Sequence, residues 1–201
     1  MDISNLDNII SKVKRLERLS LSEVLLLAEN ATIPQLGAIA NEINTQKNSN
    51  KVFFNRNIHI EPTNVCINHC LFCSYRRRKG QDGSWEYSIK EMVKIAQKAI
   101  DKDPQLTEFH IVGGVHPDRG LSFYEELVKA LHHKFPKVHI KAFTAEEIVQ
   151  MCKVENIEVE KGLEILISAG LNSMPGGGAE IFKPEIRTKI CPDKISGDRW
   201  L

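Results

Sequence analysis

Beyond residue 50 the chain alternates short apolar segments with capped helices, and this alternation limits the possible folds more than any other feature. Residues 52–60 read as a strand. Ser88-Ile-Lys-Glu91 has capping-box spacing, in which a hydroxyl and a carboxylate satisfy backbone N–H groups reciprocally, and it opens a helix to about residue 101. Residues 108–112 read as a second strand, Ser122-Phe-Tyr-Glu125 as the cap of a helix to about residue 134, and residues 138–143 as a third strand. Thr144-Ala-Glu-Glu147 is a further capping box, and residues 158–169 form an amphipathic helix stopped by Gly170. A short strand entering Met174, a helix from about Pro184 and a cap at Ser196 complete the pattern. Strand, loop and helix repeating at roughly 30 residues predict a parallel sheet with crossover helices.

The first 50 residues differ. Ile9, Ile10, Val13, Leu16 and Leu19 recur at helical spacing, residues 21–28 are a second apolar stretch, and Thr32 with Pro34 starts a third helix. The expectation is an N-terminal helical segment over residues 1–50, without chemistry of its own, followed by a βα domain over residues 51–201.

In parallel βα architectures functional groups sit on the loops that follow the strands. Four such loops carry distinctive residues: Cys66, Cys70 and Cys73; Gly113 and Gly114; Thr144; and Gly176, Gly177, Gly178 with Glu180. The cysteines form a C-x3-C-x2-C run, tight enough for one loop to turn all three sulfurs toward one point. Thiolates are soft ligands suited to iron–sulfur clusters or zinc. Four cysteines close a cubane cluster, so three leave one iron open to a substrate. The competing reading is structural zinc, which wants four closed ligands, commonly in paired C-x2-C units. Only one C-x2-C is present; His69 lies within the loop, and Cys152 and Cys191 stand alone and read as ordinary thiols.

The segment IHIEPTNVCINHCLFCSYRR, followed by HIVGGVHPDRGLSFY, HIKAFTAEE and PGGGAEIF, resembles the radical S-adenosylmethionine (SAM) enzymes, and within them the aminofutalosine synthases of menaquinone biosynthesis. The resemblance runs from about residue 52 to the last. It implies an α/β fold, a partial (β/α) barrel of the radical SAM type, with the N-terminal helices as a layer over one end. It also implies that the chain is an N-terminal fragment, C-terminally incomplete after about four βα units. Cys66, Cys70 and Cys73 would ligate a [4Fe-4S] cluster whose open iron is chelated by SAM. Phe72 would lie against the adenine, Gly113 and Gly114 would contact the SAM amino group, Glu180 would accept hydrogen bonds from SAM, and Arg187 would pair its carboxylate.

Each of these residues also has a plainer reading: a core aromatic for Phe72, a tight turn for the glycines, helix-flanking charges for Glu180 and Arg187. Thr144 and Glu147 are already explained by capping. Among His59, His110, His116 and His139, in or just after strands, His116 is the candidate for a catalytic role, against the plainer reading of satisfied core histidines. A cationic anchor for a benzoate substrate is sought in Lys141 or in Arg76, Arg77 and Arg78. With Lys79, that basic run reads either as a solvated loop or as an anion site.

The function the resemblance implies is addition of the 5′-deoxyadenosyl radical to the enol-ether double bond of 3-[(1-carboxyvinyl)oxy]benzoate. The product would be 6-amino-6-deoxyfutalosine, with SAM consumed as co-substrate and a flavodoxin or ferredoxin as reductant. The alternatives are a sister enzyme, such as dehypoxanthine futalosine cyclase or a deazaflavin synthase subunit, or a non-catalytic metal module. With 27 basic and 26 acidic residues the formal net charge is +1, which implies no nucleic-acid surface. No stretch reaches the run of about 18 apolar residues that a membrane span needs. Free cysteines and an exposed-iron cluster suit a reducing cytoplasm.

Overall fold

Two hydroxyl side chains set where the early helices begin. In the computed structural model, which describes residues 3–49 and 51–201, helix α1 (Ile3–Lys14) is followed by α2 (Leu21–Asn30) and α3 (Ile33–Asn48). Ser20 caps α2 reciprocally with Glu23, and Thr32 caps α3 with Gln35, with Pro34 in its first turn. Ile9 and Val13 of α1 and Leu27 of α2 are buried, and Lys12 pairs with Glu23 at 2.6 Å. These helices belong to one unit, Met1–Phe54; the rest of the chain, Asn55–Leu201, is a second. Residue 50, where the sequence places the boundary, lies outside the described residues.

The second unit is built on a parallel three-stranded sheet in the order β1 (Asn57–Ile60), β2 (Glu108–Ile111), β3 (His139–Ala142). Between and after the strands come α4 (Ile89–Lys102), α5 (Leu121–Lys134), α6 (Ala145–Glu155), α7 (Val159–Ala169), α8 (Pro184–Ile190) and α9 (Gly197–Trp200). Ile58, Ile60, Phe109, Ile111, Ile140 and Ala142 alternate onto the sheet face that meets Met92 and Ala96 of α4 and Leu127 and Leu131 of α5. Ile148 and Met151 of α6 and Leu166 of α7 extend the same core. The other sheet face carries Asn57 and His59, Glu108 and His110, His139 and Lys141. A sheet whose two faces differ this sharply has a solvated or ligand-bearing side.

Three expectations are corrected. The first strand is short, and Val52, Phe53 and Phe54 are exposed. The ladder starts only where Asn57 meets Glu108, and just before it the Arg56 N–H donates to the Thr107 hydroxyl. Ser122 does not cap α5. Gly120 holds that position, while the Ser122 N–H and hydroxyl both donate to Glu155 Oε1, at 2.9 and 2.6 Å. The expected fourth strand is reduced to a single bridge, Lys141 to Ser173, because the Asn172 side chain accepts the Ile140 N–H that a longer ladder would use. The other caps hold as read: Ser88 with Glu91, Thr144 with Glu147, Gly170 left-handed after α7, and Ser196 before α9. No helix among the described residues is long and apolar enough to cross a membrane.

Candidate functional site

The segment after β1 is a strap that makes almost no regular structure, so its backbone groups must find partners elsewhere. They find them on three separate stretches of chain. On one side Val65 bridges Arg77, the Cys66 N–H donates to the Arg77 carbonyl, and Thr63 bridges Glu86. Asn64, fully buried, donates to the Gly83 carbonyl and accepts the Trp85 N–H, both at 2.9 Å. On the second side the Gly114 N–H donates to the Thr63 carbonyl and the Ile67 N–H to the Val115 carbonyl. On the third, the Leu71 N–H donates to the Ile190 carbonyl and the His69 N–H to Asp193.

Gly113 and Gly114 are required by this docking. A Cβ on Gly113 would stand 2.8 Å from the Thr63 carbonyl oxygen, and one on Gly114 only 2.2 Å from that of Val65. The close backbone approach that glycine permits is made to the cysteine strap itself.

The strap turns its thiols into a cavity of about 210 Å³ lined by Cys66, Cys70 and Cys73 together with Phe72, Gly113, Gly114, Glu180 and Lys194. The backbone N–H groups of Val115 and Asn68 act to lower the Cys66 thiol, and Lys194 lends positive potential to both Cys66 and Cys70. Burial nevertheless dominates, raising the Cys66 thiol and pushing that of Cys70 up to about 11. Among the described residues no three Cys, His, Asp or Glu side chains converge closely enough for a single ion. All three cysteines line this one cavity. Three soft donors, with no fourth Cys or His in the lining of the cavity, fit a cluster with one open iron better than a closed zinc site, which takes four ligands. His69 turns its ring to Asp193 Oδ2, at 2.7 Å, and does not line the cavity. Phe72 is 56% exposed at the cavity wall, which removes the core-aromatic reading.

The far wall comes from the loop that carries Glu180 and Lys194, which pair at 2.5 Å. Burial alone would lower the Lys194 ammonium, but the Glu180 carboxylate more than offsets it and holds it above the usual lysine value. Lys194, whose ammonium also lies 5.9 Å from the Phe72 ring centre, carried no motif and escaped sequence reasoning. Arg187 is placed differently from the expectation. It is buried and does not line the cavity; its guanidinium donates to the carbonyls of Gly178, Ala179, Ile181 and Ile195 and to Glu146 Oε1 at 3.1 Å. Glu146 in turn accepts the Ile195 N–H. This buried pair holds the Glu180–Lys194 loop onto α6, a task no spacing in the sequence announced.

His116 is likewise occupied. Its Nδ1 accepts the N–H groups of Asp118 and Arg119, both at 3.0 Å, which leaves the proton on Nε2, donated to Glu86 at 2.6 Å. Burial keeps it below the usual histidine range, and it lies outside the cysteine cavity. These bonds shape the turn after the glycine pair. Of the basic run, Arg76 lines the cavity, Arg77 donates to the carbonyls of Ser74 and Arg76, Arg78 donates to that of Ile67, and Lys79 pairs with Asp118. Cys152 and Cys191 are buried and do not line the cavity, although Cys191 lies near enough to Cys70 to raise its thiol. Glu147 exceeds its capping role: one oxygen accepts the Thr144 N–H and hydroxyl, the other the Gly113 N–H at 3.0 Å, joining two rim loops. Burial pushes it up to about 7.

The chain is similar to the aminodeoxyfutalosine synthases of Thermus thermophilus, 38% identical over 96% of this chain and 51% of that protein, and of Streptomyces coelicolor, 39% identical over 94% and 48%. It is also 31% identical to the 5-amino-6-(D-ribitylamino)uracil–L-tyrosine 4-hydroxyphenyl transferase of Microcystis aeruginosa, over 96% of this chain and 53% of that one. The chain thus spans about half the length of the curated relatives it matches. Its fold is similar to that of the FeFe-hydrogenase maturase HydG from Carboxydothermus hydrogenoformans, at a TM-score of 0.55 and 21% identity, over 85% of this chain and 47% of that one. The Radical SAM superfamily pattern matches residues 60–201, taking in the cysteine strap, the glycine pair and the Glu180–Lys194 loop. The chain belongs to the radical SAM superfamily.

Proposed function

We propose that this chain is the cluster- and SAM-binding part of an aminodeoxyfutalosine synthase, joining the 5′-deoxyadenosyl group of SAM to 3-[(1-carboxyvinyl)oxy]benzoate by a C–C bond. The observation that carries the reading is the 38% and 39% identity to two such synthases across 96% and 94% of this chain; transferases acting on tyrosine reach 37% over only 73% of it, and 31% over 96%.

Cys66, Cys70 and Cys73 are the proposed ligands of a [4Fe-4S] cluster. Reduced and bound, such a cluster supplies the electron that breaks the SAM sulfonium bond. The chain's own residues then have definable tasks. The Val115 and Asn68 N–H groups stabilise the Cys66 thiolate as metal ligation requires. Gly113 and Gly114 hold the strap, and their backbone at the cavity wall is available to the SAM amino group. Phe72 offers an exposed ring to the adenine, and the Glu180–Lys194 pair offers one acceptor and one cation to the methionine end of SAM. Arg187 acts behind Lys194 as a positioning residue. Completion of the barrel, water exclusion around the radical and a flavodoxin or ferredoxin reductant belong to the same proposal, as does a reducing cytoplasm.

The test is anaerobic. The chain, and a natural chain that contains it, are reconstituted with iron and sulfide, given dithionite, SAM and the enolpyruvyl benzoate, and read by mass spectrometry. An adenosyl–substrate adduct with stoichiometric methionine is the expected result. Free 5′-deoxyadenosine beside untouched benzoate would remove the synthase reading and keep the superfamily.

A further inference from the structure

On the open face of the sheet, strand register sets His59, His110 and Lys141 side by side in one row. We propose that this row binds the carboxylate of an aromatic ligand. The choice of an aromatic ligand rests on the function proposed above; the anion site rests on the geometry alone.

Adjacent strands stand about 4.8 Å apart, so three side chains in one row reach a common point above the sheet. The His59 and His110 rings meet edge to face with centres 4.5 Å apart. Among the described residues, none of the three side chains has a hydrogen-bond or ion-pair partner, whereas one layer below His139 is bonded to Ser173 and Glu108 Oε2 to Asn55. Their positive potentials oppose one another: burial first, then His59 and Lys141, hold His110 below the usual histidine range, with Glu108 acting the other way. A carboxylate in the row would give three unpartnered groups an acceptor and relieve that repulsion.

The position suits a substrate. The next residues along the strands are Ile60, Ile111 and Ala142, after which the chain enters the cysteine strap, the glycine pair and Thr144. The row is therefore the layer of the open face nearest the rim. Glu108 limits what it accepts. It is 6% exposed, lies two residues before His110 on the same face, and its Oε1 has no partner. A compact dianion would be pressed against this carboxylate, whereas a carboxylate carried on a ring can meet the donors while the ring covers the imidazoles.

The experiment needs neither cluster nor SAM, so its failure and a failure of the synthase reading are distinguishable. The chain, isotopically labelled at histidine, is titrated with isophthalate at neutral pH and its imidazole resonances are followed by NMR. Saturable shifts confined to His59 and His110 are expected. Affinity should fall at least about tenfold in Lys141→Met and in His59→Asn, each with the far-UV spectrum of the parent, a loss of about 1.4 kcal/mol. Inorganic phosphate should not compete. Absence of saturable shifts, or undiminished affinity in both variants, would overturn the site; equal competition by phosphate would overturn its selectivity for an aromatic carboxylate.

Discussion

At Gly114 one hydrogen atom in place of a methyl group decides whether the strap can dock. Gly114→Ala would set Cβ against the Val65 carbonyl, a backbone atom that cannot rotate away. Overpacking of this kind costs about 1–3 kcal/mol, and here the shift passes directly to Cys66. The variant should keep its far-UV spectrum and lose most of the iron that the parent takes up on anaerobic reconstitution, measured per chain. Arg187 tests the opposite extreme, a residue whose importance lies in what it leaves behind. Arg187→Met would strand the Glu146 carboxylate in the interior, and breaking a buried pair this way costs about 3–5 kcal/mol. Urea unfolding should show that loss, together with a raised KM for SAM where turnover is measurable, because the Lys194 loop is no longer held.

Helix α6 couples the two rim loops through Glu147. Its carboxyl, at about 7 against a usual 4.5, binds a proton more tightly folded than unfolded. The stability this contributes is fully present below about pH 4.5 and is lost as pH rises through 7, by up to about 3 kcal/mol. Glu146, also raised by burial, adds a slope of the same sign, so the informative quantity is a difference between proteins. Unfolding midpoints of Glu147→Gln should fall less between pH 5 and pH 7.5 than those of the parent.

The same helix shows what a linear sequence conveys. The Thr144–Glu147 box is local, four residues long, and was legible, as were the box at Ser88, the helix start at Thr32, the stop at Gly170 and the strand β2, whereas the boxes that Ser20 forms with Glu23 and Thr32 with Gln35 went unread. The bond from Gly113 to Glu147 spans 34 residues, and no local pattern announces it. Ser122 failed for the same reason. Its spacing mimics a capping box, but a carboxylate 33 residues away, Glu155, takes both donors. The site divides likewise. The three cysteines and both glycines were visible because chemistry and sterics restrict residue type there, while Lys194, Asn64 and the task of Arg187 depend on contacts that only the folded chain makes. Asn172, which ends the fourth strand by substituting its side chain for a ladder partner, was equally invisible.

For the molecule as a whole, the division of cysteines is the broadest test. Cys66→Ala, Cys70→Ala and Cys73→Ala should each abolish cluster uptake, while Cys152→Ala and Cys191→Ala should retain it, as read by iron content and the visible absorbance of the reconstituted chain. Loss of iron in either of the last two would mean that a thiol outside the strap serves as a ligand.

The strap's third anchor has a consequence in time. His69 is bonded to Asp193, 124 residues further on, so the loop holding the thiols cannot settle until almost the whole described chain has been made. At translation rates of about 5–20 residues per second, the cysteines emerge roughly 6 to 25 seconds before their last partner. During that interval they are unburied thiols on a growing polypeptide, open to oxidation and to adventitious metals, and the cluster proposed above would have to arrive late in the life of each molecule.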